Sequence, residues 1–212
     1  MFGMLRTIPM RRRVLMCAVI LPIQIGLAQQ SGTSYRPITG EGRAGWVVKD
    51  TVGPQSLLGG TISAGWSTLF NSPKEYGPHW AGFGKRYGMR LTGVSASNTM
   101  EAALGALWGE DPRYSRAPER PFKGRVGNVV KMTFLARNHD GRDAPAFARY
   151  FAISGSNFLS NTWRPDSVAT TGNALQRIVF GFLGRMSSNA FDEFWPDAKR
   201  LLHKKKDAPG SP

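Results

Sequence analysis

The longest regular pattern in the chain is a repeat of small residues between His79 and Trp108, a stretch without proline. The small residues recur every three or four positions, which is the spacing of one face of an α-helix. They are Gly84, Gly88, Thr92, Ala96, Thr99 and Ala103. Such a face lets another helix approach closely, because backbone can then meet backbone. We therefore predict a long helix in which this set forms the helix-packing face.

Apolar residues at helical spacing indicate four further helices along the chain. These helices begin at Pro54, near Phe122, at Pro145 and near Ser167. For residues 126–135 a strand remains an alternative. Together the segments predict an all-α fold, a small glycine-rich helical bundle of about five helices.

The segment around Pro54 raises the question of membrane insertion. Residues 51–72 form a run of 22 residues without a charge, which is long enough to span a bilayer. Only eight of those residues are apolar, among many Gly, Ser and Thr. A spanning helix and a buried or interfacial helix therefore both stay open.

The N-terminus has the pattern of a secretory signal. Arg6 and the triplet at 11–13 form a positive region, which precedes an apolar stretch over residues 14–28. Small residues at Gly26 and Ala28 suit cleavage after Ala28. A short anchor that stays attached is an alternative, and the choice between the general and the twin-arginine export routes stays open.

The predicted organisation has four parts. These are a signal peptide at 1–28, a flexible arm at 29–50, a single helical domain at 51–203 and a basic disordered tail at 204–212. The arm is predicted from its content of Gly, Ser, Thr, Arg and Pro, which are typical of loops.

Charge and cysteine content narrow the class of partner. The chain has 28 Lys and Arg against 14 Asp and Glu, a formal net charge of +14. Its single cysteine, Cys17, lies in the predicted signal, which excludes a disulfide scaffold and a cysteine-based zinc module. In an exported protein this charge favours an anionic membrane surface or an envelope protein over nucleic acid. Whether the protein forms a homo-oligomer stays open.

The C-terminal segment combines aromatic and basic residues. The predicted membrane- and anion-binding residues are Trp195, Lys199, Arg200, Lys204, Lys205 and Lys206. An aromatic ring beside a basic cluster suits a membrane interface, where the ring lies at headgroup depth. The alternative is a last helix docked on the bundle, broken at Pro196 and followed by a solvated basic end.

Recognisable catalytic motifs do not occur in the sequence. The histidines at 79, 139 and 203 are not spaced as a metal-binding pair. There is no nucleophile elbow and no phosphate-binding glycine loop. We therefore predict no catalytic residue, no cofactor and no metal.

An enzyme or lipid-handling protein of the periplasm is the alternative function. It would use Asp111, Arg113 and Tyr114. This alternative requires a cleft in which His79 converges with Asp111 and Arg113.

Three phrases of the sequence carry a resemblance to a known family. They are residues 82–87 (GFGKRY), 110–114 (EDPRY) and 193–197 (EFWPD), the last with basic residues after it. Over roughly residues 50–203 the chain resembles an uncharacterised family of small exported proteins from soil-type bacteria. That family has no assigned activity, so the resemblance implies export and a shared fold and carries over no site.

These features together lead to one functional prediction. The signal, the small-residue face and the basic aromatic end indicate a non-enzymatic cell-envelope protein. We expect a helical bundle peripheral to the membrane that acts through contacts with lipid or protein.

Overall fold

The structure, a computed structural model, describes residues 35–206, apart from the side chains at 201 and 203–206. The predicted signal at 1–28, the beginning of the predicted arm and the end of the predicted tail lie outside the described residues. The described chain folds into six α-helices. They are α1 (Gly40–Val52), α2 (Pro54–Leu69), α3 (His79–Trp108), α4 (Phe122–Phe134), α5 (Phe147–Leu159) and α6 (Thr171–Lys206).

The helices form a bundle, as the sequence predicts. The 30-residue α3 contacts α1, α2 and α5, and the 36-residue α6 contacts α4 and α5. Contacts therefore run from α2 through α3, α5 and α6 to α4. Short 3-10 helices at Lys74–Tyr76 and Ser160–Thr162 precede α3 and follow α5.

A small antiparallel sheet lies beside the helices. Its strands are β1 (Glu110–Asp111), β2 (Leu135–Asn138) and β3 (Asp143–Pro145). In this sheet Asp111 lies opposite Arg137, and Arg137 lies opposite Asp143. The strand alternative for residues 126–135 is wrong, because α4 continues to Phe134 and β2 begins only at Leu135. Strand pairing therefore holds together the segment that follows α3 and the segment that follows α4.

The first helix differs from the predicted flexible arm. Residues 40–50 belong to α1, whose N-terminus is capped by the Thr39 hydroxyl accepting a hydrogen bond from the Gly42 amide at 3.1 Å. Trp46 and Thr51 are buried, and Thr51 accepts a hydrogen bond from Asn98 of α3. Packing against α3 therefore stabilises a helix that its glycines would disfavour.

The last helix continues through Pro196, where a break was expected. Proline removes one backbone donor and pushes away the carbonyl of the preceding turn. That carbonyl belongs to Asp192. The next carbonyl along the helix, that of Glu193, accepts hydrogen bonds from Arg116 at 2.9 Å and Arg125 at 2.6 Å. Side chains from outside the helix therefore bind the backbone of the turn that precedes Pro196. The same helix includes residues 204–206, which were predicted to begin a disordered tail.

The small-residue face of α3 points away from the bundle. Gly84, Gly88, Thr92, Thr99 and Ala103 are exposed, and Ala96 is half-buried. A Cβ atom built on Gly84 or Gly88 would meet nothing within 4 Å. No other described element therefore packs on this face through those glycines, and the predicted helix contact is not formed within the described chain.

Other glycines of α3 carry the close approaches. A Cβ on Gly82 would lie 1.9 Å from the carbonyl oxygen of Gly77, and one on Gly105 would lie 2.9 Å from that of Glu110. The buried face of α3 consists of Gly82, Arg86, Asn98, Glu101, Ala102 and Gly105. The helix is oriented by the polar partners of this face rather than by the regular spacing of its small residues.

Replacing Gly82 by alanine is expected to destabilise the fold by about 1–3 kcal/mol, because the new methyl group would displace the backbone at Gly77. Gly88→Ala is the matched control on the same helix. It is expected to be neutral or to stabilise by up to about 1 kcal/mol through helix propensity. Urea unfolding followed by circular dichroism measures both variants, and equal shifts would contradict the assignment of the buried face.

Candidate functional site

The centre of the bundle contains a carboxylate with two arginine partners. Glu101 of α3 is 2% exposed. Its Oε1 accepts a hydrogen bond from Arg149 Nε of α5 at 2.9 Å, and its Oε2 accepts one from Arg185 of α6. Arg185 also lies 3.3 Å from Asp50 of α1 and packs over the Trp46 ring. One buried carboxylate therefore connects α3 to α5 and α6, and through Arg185 to α1.

Arg149 extends this network to α4. It is 2% exposed, and its Nη1 donates to the carbonyl oxygens of Met132 at 2.7 Å and Thr133 at 3.0 Å. These carbonyls lie at the C-terminal end of α4, where helical acceptors lack partners of their own. Burial lowers the pKa of the Arg149 guanidinium, and Glu101 counteracts that effect. The buried charge is thus held by one carboxylate and by backbone oxygens.

A second network surrounds Glu193 of α6, which is fully buried. Its Oε1 accepts from Arg125 Nε at 2.7 Å, and its Oε2 accepts from the Tyr114 hydroxyl at 2.9 Å and the Ala117 amide at 3.1 Å. Burial alone would raise the pKa of Glu193, but these donors hold it below its ordinary value. Two of the phrases that carry the family resemblance, 110–114 and 193–197, therefore meet in this network.

Asp111 belongs to a third cluster. This cluster contains Asp111 and Arg113, two of the residues that the alternative enzymatic function would use. The carboxylate accepts from the Tyr35 hydroxyl at 3.0 Å and from Arg113 Nη2 at 2.6 Å. Burial and the Asp111 charge raise the pKa of Tyr35 to about 12. An open pocket of about 300 Å³ lies next to this cluster and is lined in part by Arg43 and His139.

The convergence that this alternative requires does not occur. His79 is exposed at the first position of α3, and Asp111 follows the last turn of that helix. A helix of 30 residues is about 45 Å long, so the two side chains lie at opposite ends. Asp111 is occupied by its structural partners, and Tyr114 bonds to Glu193 in the second network. In the part of the chain that the structure describes, no group of His, Cys, Asp and Glu is arranged to hold a metal ion.

The outer faces of three helices carry apolar side chains and no charge. Helix α2 contains no charged residue, and its exposed side includes Ile62 and Leu69, at 73% and 82% exposure. The single charged residue of α5 is the buried Arg149, and the exposed side of α6 between 171 and 195 is also uncharged. The large exposed apolar residues of α5 and α6 include Phe147, Phe151, Phe158, Leu159, Leu175, Val179, Phe180 and Leu183.

This distribution is the reverse of an ordinary amphipathic surface helix, which turns its charges to water and its apolar side to the core. Here the largest fully buried side chains are Glu193, Thr133 and Ser160, and many large apolar side chains are exposed. Extensive exposed apolar surface marks an interaction site for protein or membrane. Among the described residues, no helix is both long enough and apolar enough to cross a bilayer.

The predicted C-terminal site is partly described. The Trp195 ring stacks on Phe191 with 4.9 Å between ring centroids, and Lys199 Nζ lies 5.4 Å from the Trp195 centroid. Lys199 and Arg200 are exposed. Residues 204–206 lie in the last turns of α6, and their side chains are outside the described set. The helix therefore presents Trp195, Lys199 and Arg200 together at its C-terminal end.

Comparison with protein-family models, curated proteins and solved structures finds no match for this chain.

Sequence reasoning missed the charged core around Glu101 and Glu193. A signal for it was present in α5, where Arg149 is a lone charge among aromatic and small residues. When a helix has only one charged residue and its apolar side faces outward, that charge must be buried. A buried charge in turn indicates a partner of opposite charge. The apolar residues of α5 were instead expected to face the core, and this expectation places Arg149 on the outside.

Replacing Glu101 by glutamine is expected to destabilise the protein by about 3–5 kcal/mol, because Arg149 and Arg185 would lose their shared buried carboxylate. The matched control is Asp143→Asn, which breaks the partly exposed pairs with Lys131 and Arg137 and is expected to cost about 1 kcal/mol or less. Chemical unfolding of both variants gives the comparison. If Glu101→Gln lowers the free energy of unfolding by no more than the control does, the core network contributes little to stability.

Proposed function

We propose that the protein is a non-enzymatic component of the cell envelope, a helical bundle that associates with the membrane through its outer apolar faces. The observation that carries this proposal is the uncharged, apolar outer side of α2, α5 and α6, combined with the inward placement of Glu101, Arg149 and Glu193. Water is a poor environment for such a surface, because each square ångström of apolar area in contact with water costs about 25 cal/mol.

The distribution of the apolar faces favours lipid as the occupant. They lie on α2, α5 and α6, and α4 adds Phe122, Val126, Val130 and Phe134 at intervals of four residues. Contacts link α2 to α3, α3 to α5, α5 to α6 and α6 to α4. Apolar faces therefore occur on the first and the last helix of this series as well as within it. A membrane interface offers one continuous apolar phase to several such helices, whereas a protein partner would need a complementary surface for each of them.

The C-terminal end of α6 supports contact with an anionic surface. Trp195 is partly exposed beside Lys199 and Arg200, and Lys204, Lys205 and Lys206 follow along the same helix. Each Lys or Arg close to an anionic leaflet contributes about 1 kcal/mol, and the contribution falls with salt. We propose that this end binds lipid headgroups while the apolar faces enter the interface.

The envelope location rests on the predicted signal at 1–28, which supplies the route to that compartment. In this proposal the protein stays peripheral and uses no cofactor.

Fractionation of tagged full-length protein tests the proposal. We expect wild-type protein to stay with membranes in ~1 M salt, where the Debye length is about 3 Å, and to be released by carbonate. The triple variant Leu58→Ser, Ile62→Ser, Trp66→Ser is expected to become soluble in the salt wash. The three side chains are 61%, 73% and 66% exposed, so their loss leaves the core intact. Together they remove roughly 5 kcal/mol of apolar burial in lipid.

The control is the double variant Thr61→Gln, Ser63→Gln, which changes two exposed polar positions of the same helix. It is expected to fractionate like wild type. Wild-type protein in the soluble fraction, or a triple variant that keeps its membrane association, would overturn the lipid proposal.

A further inference from the structure

One region of the bundle contains arginines without a carboxylate partner among the described residues. They are Arg86 and Arg90 of α3, Arg164 after the 3-10 helix Ser160–Thr162, and Arg177 of α6. The region comprises the segment 71–90, the segment 160–168 and the first turns of α6. This contrasts with the Glu101 and Glu193 networks, where Arg125, Arg149 and Arg185 each meet a carboxylate.

Three of these arginines are occupied by oxygen acceptors. Arg177 donates to the carbonyl of Val168 at 2.9 Å, to that of Asn157 at 3.3 Å and to the Asn161 side chain. Arg86 donates to the carbonyls of Ser72 at 2.9 Å, Pro73 at 2.8 Å and Gly77 at 2.8 Å. Arg90 donates to the carbonyl of Ser56 at 3.1 Å. The bonds of Arg86 and Arg90 hold the connection between α2 and α3 against the helix, so these two arginines have a structural role.

Arg164 differs, because most of its guanidinium has no partner in the described chain. Only its Nε donates, to the Ser160 hydroxyl at 3.1 Å. Burial lowers the pKa of Arg164, and the charge of Arg164 adds to the burial that lowers the pKa of Arg177. Oxygen acceptors occupy both Nη atoms of Arg177, whereas those of Arg164 have none among the described residues. An anion at the Arg164 guanidinium would supply a counter-charge to both cations.

Uncompensated polar atoms lie in the same region. The Tyr76 hydroxyl, the Trp163 Nε1 and the Arg177 Nε are buried without a hydrogen-bond partner. Tyr76 is close enough to Arg164 to interact electrostatically with it, and Trp163 directly precedes Arg164. Each buried donor without an acceptor costs about 1–3 kcal/mol, which an acceptor-rich ligand would relieve.

The surrounding surface combines exposed aromatic and basic side chains. Trp66 and Phe70 at the end of α2 and Trp80 at the start of α3 are exposed, the last at 85%. Lys74 and Lys85 are exposed between and after them. Exposed tryptophan beside lysine is typical of side chains that lie at headgroup depth.

We propose that Arg164, assisted by Arg177, Tyr76 and Trp163, binds the phosphate group of an anionic phospholipid. A guanidinium matches phosphate because it can donate two parallel hydrogen bonds to its oxygens. This inference rests on the proposed membrane association and names the headgroup chemistry. The site is separate from the C-terminal basic residues, because Arg177 and Lys199 are about 33 Å apart along α6.

The test compares binding of full-length protein to neutral phosphatidylcholine vesicles and to vesicles that also contain phosphatidylglycerol. Arg164→Gln is expected to lower binding to the anionic vesicles by about fivefold or more, the effect of one basic residue at such a surface, and to leave binding to neutral vesicles unchanged. Arg164→Lys keeps the charge but loses the paired donors. Its binding to the anionic vesicles is expected to lie between that of wild type and that of Arg164→Gln. The control, Arg142→Gln, removes an exposed arginine from the turn between β2 and β3 and is expected to bind like wild type.

Each outcome is decisive. Equal losses for Arg164→Gln and Arg142→Gln would show a general charge effect and overturn the site. Calorimetric binding of inorganic phosphate that Arg164→Gln abolishes, without a change in vesicle binding, would keep the phosphate chemistry and overturn the lipid as its source. Failure of the wild-type protein to bind either vesicle would refute the membrane proposal itself. A thermal melt confirms that each variant is folded.

Discussion

The pairing of the Glu101 carboxylate with Arg149 and Arg185 is the constraint on which the described structure depends. Removing such ions from water costs several kcal/mol each, so they are tolerated only where every charge is matched. The match requires α3, α5 and α6 to face one another at this level, and Asp50 and Trp46 bring α1 to the same place. Arg149 then holds the end of α4 through its carbonyl oxygens. The orientation of the helices therefore follows from the burial of charge.

The position of the apolar side chains follows from this orientation. A helix that turns its charged residue inward must turn its other side outward, and on α5 that side carries Phe147, Phe151 and Phe158. The buried apolar residues are mostly alanines, such as Ala102, Ala148 and Ala152, so the interior is narrow and the large side chains remain outside. An interior of small and polar residues below an apolar exterior is what a bundle needs if its outer surface is in contact with lipid. The arginine region around Arg164 fits the same scheme, with positive charge next to exposed aromatic rings.

The sequence predicted the helices better than their orientation. Spacing identified α2, α3 and α4, the approximate extent of α5 and the start of α6, because apolar and small residues repeat at the helical period. The period indicates which residues share a face, but it does not indicate whether that face points inward. The face with Gly84 and Gly88 was therefore assigned to packing, whereas Gly82 and Gly105 make the close approaches. Helix α1 and the continuation of α6 through Pro196 depend on distant partners, Asn98 in one case and Arg116 and Arg125 in the other, which no local pattern shows.

Collision-relaxation measurements on spin labels test the central claim that the outer apolar faces contact lipid. Nitroxides would be attached at Ile62 and Val179, two exposed apolar positions, and at Asp140 in the exposed turn, in a Cys17→Ser background bound to anionic vesicles. The account predicts that the labels at positions 62 and 179 are reached by oxygen, which concentrates in lipid, more readily than by a water-soluble nickel complex. The label at position 140 should show the opposite preference. Equal access of the nickel complex to all three positions would contradict the account, because the apolar faces would then be exposed to water.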